Sequence, residues 1–157
     1  MVARHGLLLG SLLVLIAGCT DGSADAERLG EAFCAAAMAR DEAAATAMMT
    51  PELQDQVARV RDFDARFRRQ RPGDKPPLGD GLRLTAFPDA VASCGVTVES
   101  PLQVVVRYVP SGSPDGDWAD RLLLVRGPGT ALRVGDIAFA GDNRVRLRRW
   151  LDEAMVE

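Results

Sequence analysis

Leu102-Gln103-Val104-Val105-Val106-Arg107-Tyr108-Val109 and Trp118-Ala119-Asp120-Arg121-Leu122-Leu123-Leu124-Val125-Arg126 are the stretches whose reading decides the fold. Their apolar period is two, that of a strand whose successive side chains face opposite sides of a sheet. Leu102, Val104, Val106 and Tyr108 share one face, as do Trp118, Leu122 and Leu124. Pro110-Ser111-Gly112-Ser113-Pro114-Asp115-Gly116 joins the two runs, and Gly127-Pro128-Gly129 follows the second. Both connections carry turn chemistry, so the strands at 102–109, 118–126 and 131–139 read as an antiparallel meander. Shorter strands are expected before them at 82–86 and 94–99.

Upstream the period changes to that of a helix. A first helix is expected at about 24–40, with Leu29, Phe33, Ala36 and Ala37 on one face and Cys34 beside it. Asp41 can cap a short alanine-rich helix over 42–49. Thr50-Pro51 reads as an N-cap followed by proline at the first helical position. The helix it starts aligns Leu53, Val57, Val60, Phe63 and Phe67, and Pro72 ends it before a Pro/Gly-rich connection at 73–81. After the strands, Asp142 is expected to cap a C-terminal helix with an apolar stripe of Leu147, Trp150, Leu151, Ala154 and Met155. This order predicts an α+β domain over 26–157: N-terminal helices packed on a curved antiparallel sheet, with an added C-terminal helix.

The first nineteen residues read differently. Arg4 precedes an apolar run from Leu7 to Ala17 that is shorter than the about 20 residues a spanning helix needs. The run closes on Ile16-Ala17-Gly18-Cys19, which resembles the lipobox of bacterial lipoproteins. The resemblance implies a signal peptide over 1–18, a diacylglycerol thioether and an acylated (palmitate-type) amine on Cys19, and a lipidated tether over 19–25. It places the domain in the cell envelope, anchored by Cys19 and facing the periplasm. Thr20, rather than an aspartate, follows the cysteine, which favours the outer over the inner membrane. An ordinary secretory signal cut nearby is the alternative.

With Cys19 lipidated, Cys34 and Cys94 remain, and an oxidising compartment allows them one bridge. Closing a loop of about 60 residues stabilises a fold by about 4 kcal/mol in the chain-entropy account. Two buried free thiols are the alternative.

The element order over 24–139 resembles the nuclear-transport-factor-2-like fold, a cone also used by ketosteroid isomerases. The resemblance implies a cone-like sheet whose interior can hold a pocket, with a Cys34–Cys94 bridge tying the first helix to the sheet. Tyr108, Trp118, Asp120 and Asp136 are the candidates to line it. Each has a plainer role: core packing for the two aromatics, and solvent exposure or pairing with Arg107, Arg121 or Arg133 for the carboxylates.

Composition narrows the chemistry. The one histidine, His5, lies in the signal segment, so the mature chain has no imidazole for a triad or a histidine-ligated zinc. No catalytic residue, metal or cofactor is assigned. A net charge of −3 argues against a nucleic-acid partner. The arginine groups Arg66, Arg68, Arg69, Arg71 and Arg144, Arg146, Arg148, Arg149 could meet anionic headgroups, but read first as solvated helix faces balanced by neighbouring carboxylates. The expected function is a lipid-anchored, non-enzymatic envelope domain that engages a protein partner, of accessory or immunity type. A carrier of a small ligand or lipid is the alternative, and an isomerase-like enzyme is a weaker third.

Overall fold

The computed structural model describes residues 22–87, 91–112, 116–141 and 145–156; the signal segment, Cys19 and Asp142 lie outside them. Helix α1 spans Gly22–Ala39 and buries Ala26, Phe33, Cys34, Ala36 and Ala37. It lies close against the sheet. A methyl group at Gly30 would stand 2.7 Å from Val104 Cγ1 and 2.8 Å from Val96 Cγ1. The helix ends in a paired turn, with Arg40 N–H donating to Ala37 O at 3.2 Å and Asp41 N–H to Ala36 O at 2.9 Å. That turn holds Arg40 at φ 53°, the left-handed position that glycine usually fills.

Asp41 caps α2 (Glu42–Ala47) by accepting Ala44 N–H at 2.9 Å. Thr50 caps α3 (Pro51–Gln70), whose Leu53, Val57 and Val60 are buried. Phe63 and Phe67, from the same predicted stripe, are half-buried near the outer end of the helix.

Four strands follow: β1 (Val91–Ser100), β2 (Gln103–Pro110), β3 (Trp118–Arg126) and β4 (Leu132–Ala138). They form one antiparallel meander in sequence order. The architecture is therefore α+β, with α1 packed against β1 and β2. The rows Cys94–Tyr108–Trp118, Val96–Val106–Asp120 and Val98–Val104–Leu122 run across the first three strands. Cys34 and Cys94 are disulfide-bonded, with Cα atoms 6.2 Å apart, and tie α1 to β1. Between β3 and β4 the register slips by one residue: Leu123 faces Asp136 and Leu124 faces Val134, leaving Gly135 as a bulge. A Cβ there would stand 2.6 Å from Val125 Cγ2. The free side of β4 is partly covered by the α2–α3 junction, where Val134 N–H donates to Met48 O and Thr50 N–H to Val134 O, each at 2.9 Å.

Three sequence expectations need correction. Residues 82–86 form no strand, although Leu82, Leu84, Thr85 and Ala86 are buried. Backbone donors in and just before this segment are taken by carboxylates instead of a ladder: Leu78 N–H by Asp64, Leu82 N–H by Glu42 and Ala86 N–H by Asp120. Leu102 does not continue the inward row of β2; it sits in the β1–β2 turn, 44% exposed. The last helix, α4 (Leu147–Glu153), starts later than expected, and its N-cap position is held by Arg146 without a side-chain bond. Its stripe does dock. Leu147 and Leu151 are fully buried, and Gln56 Nε2 on α3 donates to Arg148 O at 2.9 Å and Asp152 Oδ1 at 2.6 Å. Among the described residues no helix is long and apolar enough to cross a membrane.

Candidate functional site

β2 and β3 bring Tyr108, Trp118 and Asp120 together on the inner face of the sheet, because alternate residues of a strand share a face. Tyr108 and Trp118 are cross-strand partners with rings stacked at 5.6 Å and 25°. Trp118 Nε1–H donates to Thr85 Oγ1 at 2.8 Å, and the Thr85 hydroxyl in turn bonds the Asp120 carboxylate. Asp120 Oδ2 also accepts Ala86 N–H at 2.9 Å, and Oδ1 accepts Ala140 N–H at 2.8 Å. Asp120 therefore faces inward at 1% exposure and is satisfied by backbone amides; the expectation that it faces solvent or pairs with Arg107, Arg121 or Arg133 is overturned.

Burial raises the Asp120 carboxyl above the usual carboxylate range, against the pull of its hydrogen-bond donors and of Arg83 nearby. Burial, and then the charge of Asp120, push the Tyr108 phenol upward as well. The Tyr108 hydroxyl is wholly buried and finds no hydrogen-bond partner among the described residues.

Asp136 does not join this cluster. It sits after the Gly135 bulge and accepts the amide hydrogens of Ile137 and Arg148, with Arg146 Nη1 3.9 Å away. The arginine groups are likewise engaged at several points. Arg68 pairs with Asp64, Arg149 with Glu153, and Arg148 Nε–H donates to Gly135 O at 2.7 Å.

A cleft of about 430 Å³ opens beside the cluster, between the end of α1, the start of α2, the segment 78–86 and Trp150 of α4. Thr85 and Ala86 form its back wall and are the residues that bond Trp118 and Asp120 on the other side. None of Tyr108, Trp118, Asp120 and Asp136 lines it. Its apolar surface comes from Met38, Leu78, Leu82, Leu84 and Trp150, and its charge from Arg40, Glu42, Asp80 and Arg83. Glu42 is held by Arg61 Nη2 at 2.8 Å and by Leu82 N–H at 2.8 Å. The Arg83 guanidinium lies 4.5 Å from the Phe139 ring centroid and donates to Ala86 O at 2.9 Å. Phe87, 52% exposed, stands edge-on to Trp118 at 5.4 Å.

The cleft-lining residues carry no local sequence signature, apart from Trp150 on its amphipathic stripe. Arg40, Glu42 and Arg83 meet only because α1, α2 and the irregular segment converge. No group of three or more histidine, cysteine, aspartate or glutamate side chains placed to hold a metal occurs among the described residues. Chemically, the cleft offers fixed guanidinium and carboxylate groups around an apolar floor, an arrangement for binding. The polar cluster behind it is buried.

No protein-family model, curated protein or solved structure matches this chain.

Proposed function

We propose that the chain is a lipid-anchored envelope domain that binds a protein partner through the cleft and performs no chemistry on it. The observation that carries this reading is the separation of the two features. Tyr108 and Asp120, the phenol and carboxylate that the strands bring together, are buried in the core, whereas the accessible cleft is apolar with charged margins. An isomerase-like activity would need a phenol and a carboxylate to reach a substrate, and the burial of Tyr108 and Asp120 supports the binding reading over it. The Ile16-Ala17-Gly18-Cys19 motif supports the anchor, and the Cys34–Cys94 bond accords with an oxidising compartment. The outer membrane is the proposed location, from Thr20 after the cysteine.

The finer fold assignment is also a proposal: a small nuclear-transport-factor-2-like cone. Its support is the order of three helices followed by the meander, with the Gly135 bulge to curve the sheet. Tyr108, Trp118, Phe139 and Leu122 are buried in the core, which supports a packed interior over the hollow one of a carrier. A small ligand remains a second reading because the cleft volume falls within the range of about 300–1,000 Å³ typical of such sites.

Site-specific photo-crosslinking in the native envelope tests the proposal, with the probe at Met38 in the cleft and a control probe at Val105 on β2. A salt-resistant protein adduct from Met38 and none from Val105 supports a protein partner. A low-mass adduct alone transfers the cleft to the second reading. Absence of any Met38 adduct rejects both.

A further inference from the structure

We infer that the end of the sheet beside Gly22 is a bilayer-docking surface, which stands the domain upright and holds the cleft away from the membrane. This inference rests on the anchoring of Cys19 proposed above. Three peptide steps separate Cys19 from Gly22, a reach of at most about 11 Å. Gly22 itself is located: a Cβ on it would stand 2.7 Å from Arg126 Nη2 and 3.5 Å from Pro101 Cβ. The acyl chains therefore enter the bilayer within about 11 Å of Gly22, which itself lies against Pro101 of the β1–β2 turn and the side chain of Arg126 at the end of β3.

The side chains at that end suit a lipid interface. Leu102 is 44% and Val125 49% exposed, and both lie at this end of the sheet, since Leu124, the residue before Val125, donates its N–H to Leu102 O at 2.8 Å. Exposed Pro101 and Pro128 flank them, and the exposed Arg126 stands among them. Two carboxylates of this end are each tied to an arginine, Asp25 to Arg28 and Glu99 to Arg121. Apolar side chains around a guanidinium match the acyl–headgroup boundary of an anionic bilayer.

The cleft lies at the opposite end of α1. Helix α1 has 18 residues from Gly22 to Ala39, about 26 Å of rise between its ends, and Ala37, Met38 and Arg40 line the cleft. Arg68, in the first of the two arginine groups, donates to Gly79 O beside the cleft and so belongs to the far end. The membrane thus meets the turns of the sheet rather than the arginines of α3.

The test uses the full chain purified from membranes, with L102C, V125C and M38C variants carrying a nitrobenzoxadiazole dye. Each is reconstituted in phosphatidylethanolamine–phosphatidylglycerol vesicles containing nitroxide-labelled lipid, and its intact mass is measured. A diacylglyceryl mass on Cys19, with blue-shifted and lipid-quenched emission at positions 102 and 125 but not at 38, supports the docking surface. An acylated protein whose three labels behave alike, or whose label at 38 is quenched most, overturns the docking surface and leaves the anchor standing. A protein without the acyl mass removes the anchor, and the docking surface with it.

Discussion

Asp136 on β4 accepts the backbone N–H of Arg148, the second residue of α4, at 3.1 Å. Arg146, the residue at the N-cap position of α4, makes no side-chain capping bond, so the helix is capped from a neighbouring strand. The Gly135 bulge makes this possible. It resets the inward–outward alternation so that Val134 and Ile137, three residues apart, are both fully buried while Asp136 turns toward the helix.

Asp136→Ala is expected to destabilise the fold by about 1 kcal/mol, the worth of a lost helix cap, and to loosen the packing of Trp150. Asp136→Asn keeps an acceptor and should recover most of the loss. Urea unfolding followed by tryptophan fluorescence measures both; equal losses in the two variants would show that charge, not capping, is the contribution.

Asp120 makes stability depend on pH in a defined direction. Its carboxyl is raised above the ordinary value near 3.9 by burial, so the folded chain holds this proton more tightly than the unfolded chain. The corresponding stabilisation is complete below about pH 4 and is lost as pH rises through the raised value. Asp120→Ala removes that slope and strands the Ala86 and Ala140 amides, at about 1–3 kcal/mol for each buried donor left unsatisfied. The stability gap between wild type and variant should therefore narrow as pH rises above about 4. A gap that is constant with pH in denaturant titrations contradicts the raised carboxyl.

The Cys34–Cys94 bond closes a loop with a sequence separation of 60 residues. Its removal in a Cys34→Ser, Cys94→Ser double variant is expected to cost up to about 4 kcal/mol, less where the reduced chain keeps residual structure. Untreated protein should resist alkylation at both positions, and reduction before alkylation should lower the unfolding midpoint to that of the variant.

Arg40 occupies a left-handed conformation at the end of α1, where a side chain costs about 1 kcal/mol relative to glycine. Arg40→Gly is expected to raise stability by up to that amount while removing one cationic margin of the cleft. Thermal unfolding gives the first effect, and adduct yield from the Met38 photoprobe gives the second. A stability gain with unchanged yield would remove Arg40 from the binding margin.

Locally encoded features were legible from the chain alone. Asp41 and Thr50 act as caps because a side-chain oxygen meets an amide two or three residues on, and Trp118 opens β3 because the preceding Gly-rich loop releases the chain into a period-two run. The grouping of Tyr108 with Trp118 was partly legible, since the residues lie on successive strands of a hairpin.

The remainder depends on contacts between distant residues. Whether an aspartate in an apolar strand faces in or out is a parity question, and one inserted residue reverses parity; Asp120 lies before the bulged pairing and faces in, while Asp136 lies just after Gly135 and turns to α4. Residues 82–86 have a strand-like pattern but become irregular because side-chain carboxylates from α2 and β3 take their amides. The cleft exists only where the end of α1, this irregular segment and Trp150 meet. Short-range hydrogen bonds and periodicity are written within a few residues, so they can be read along the chain. Register, burial of charge and the shape of a cleft are set by pairings tens of residues apart, whose energies compete only once the chain has closed on itself.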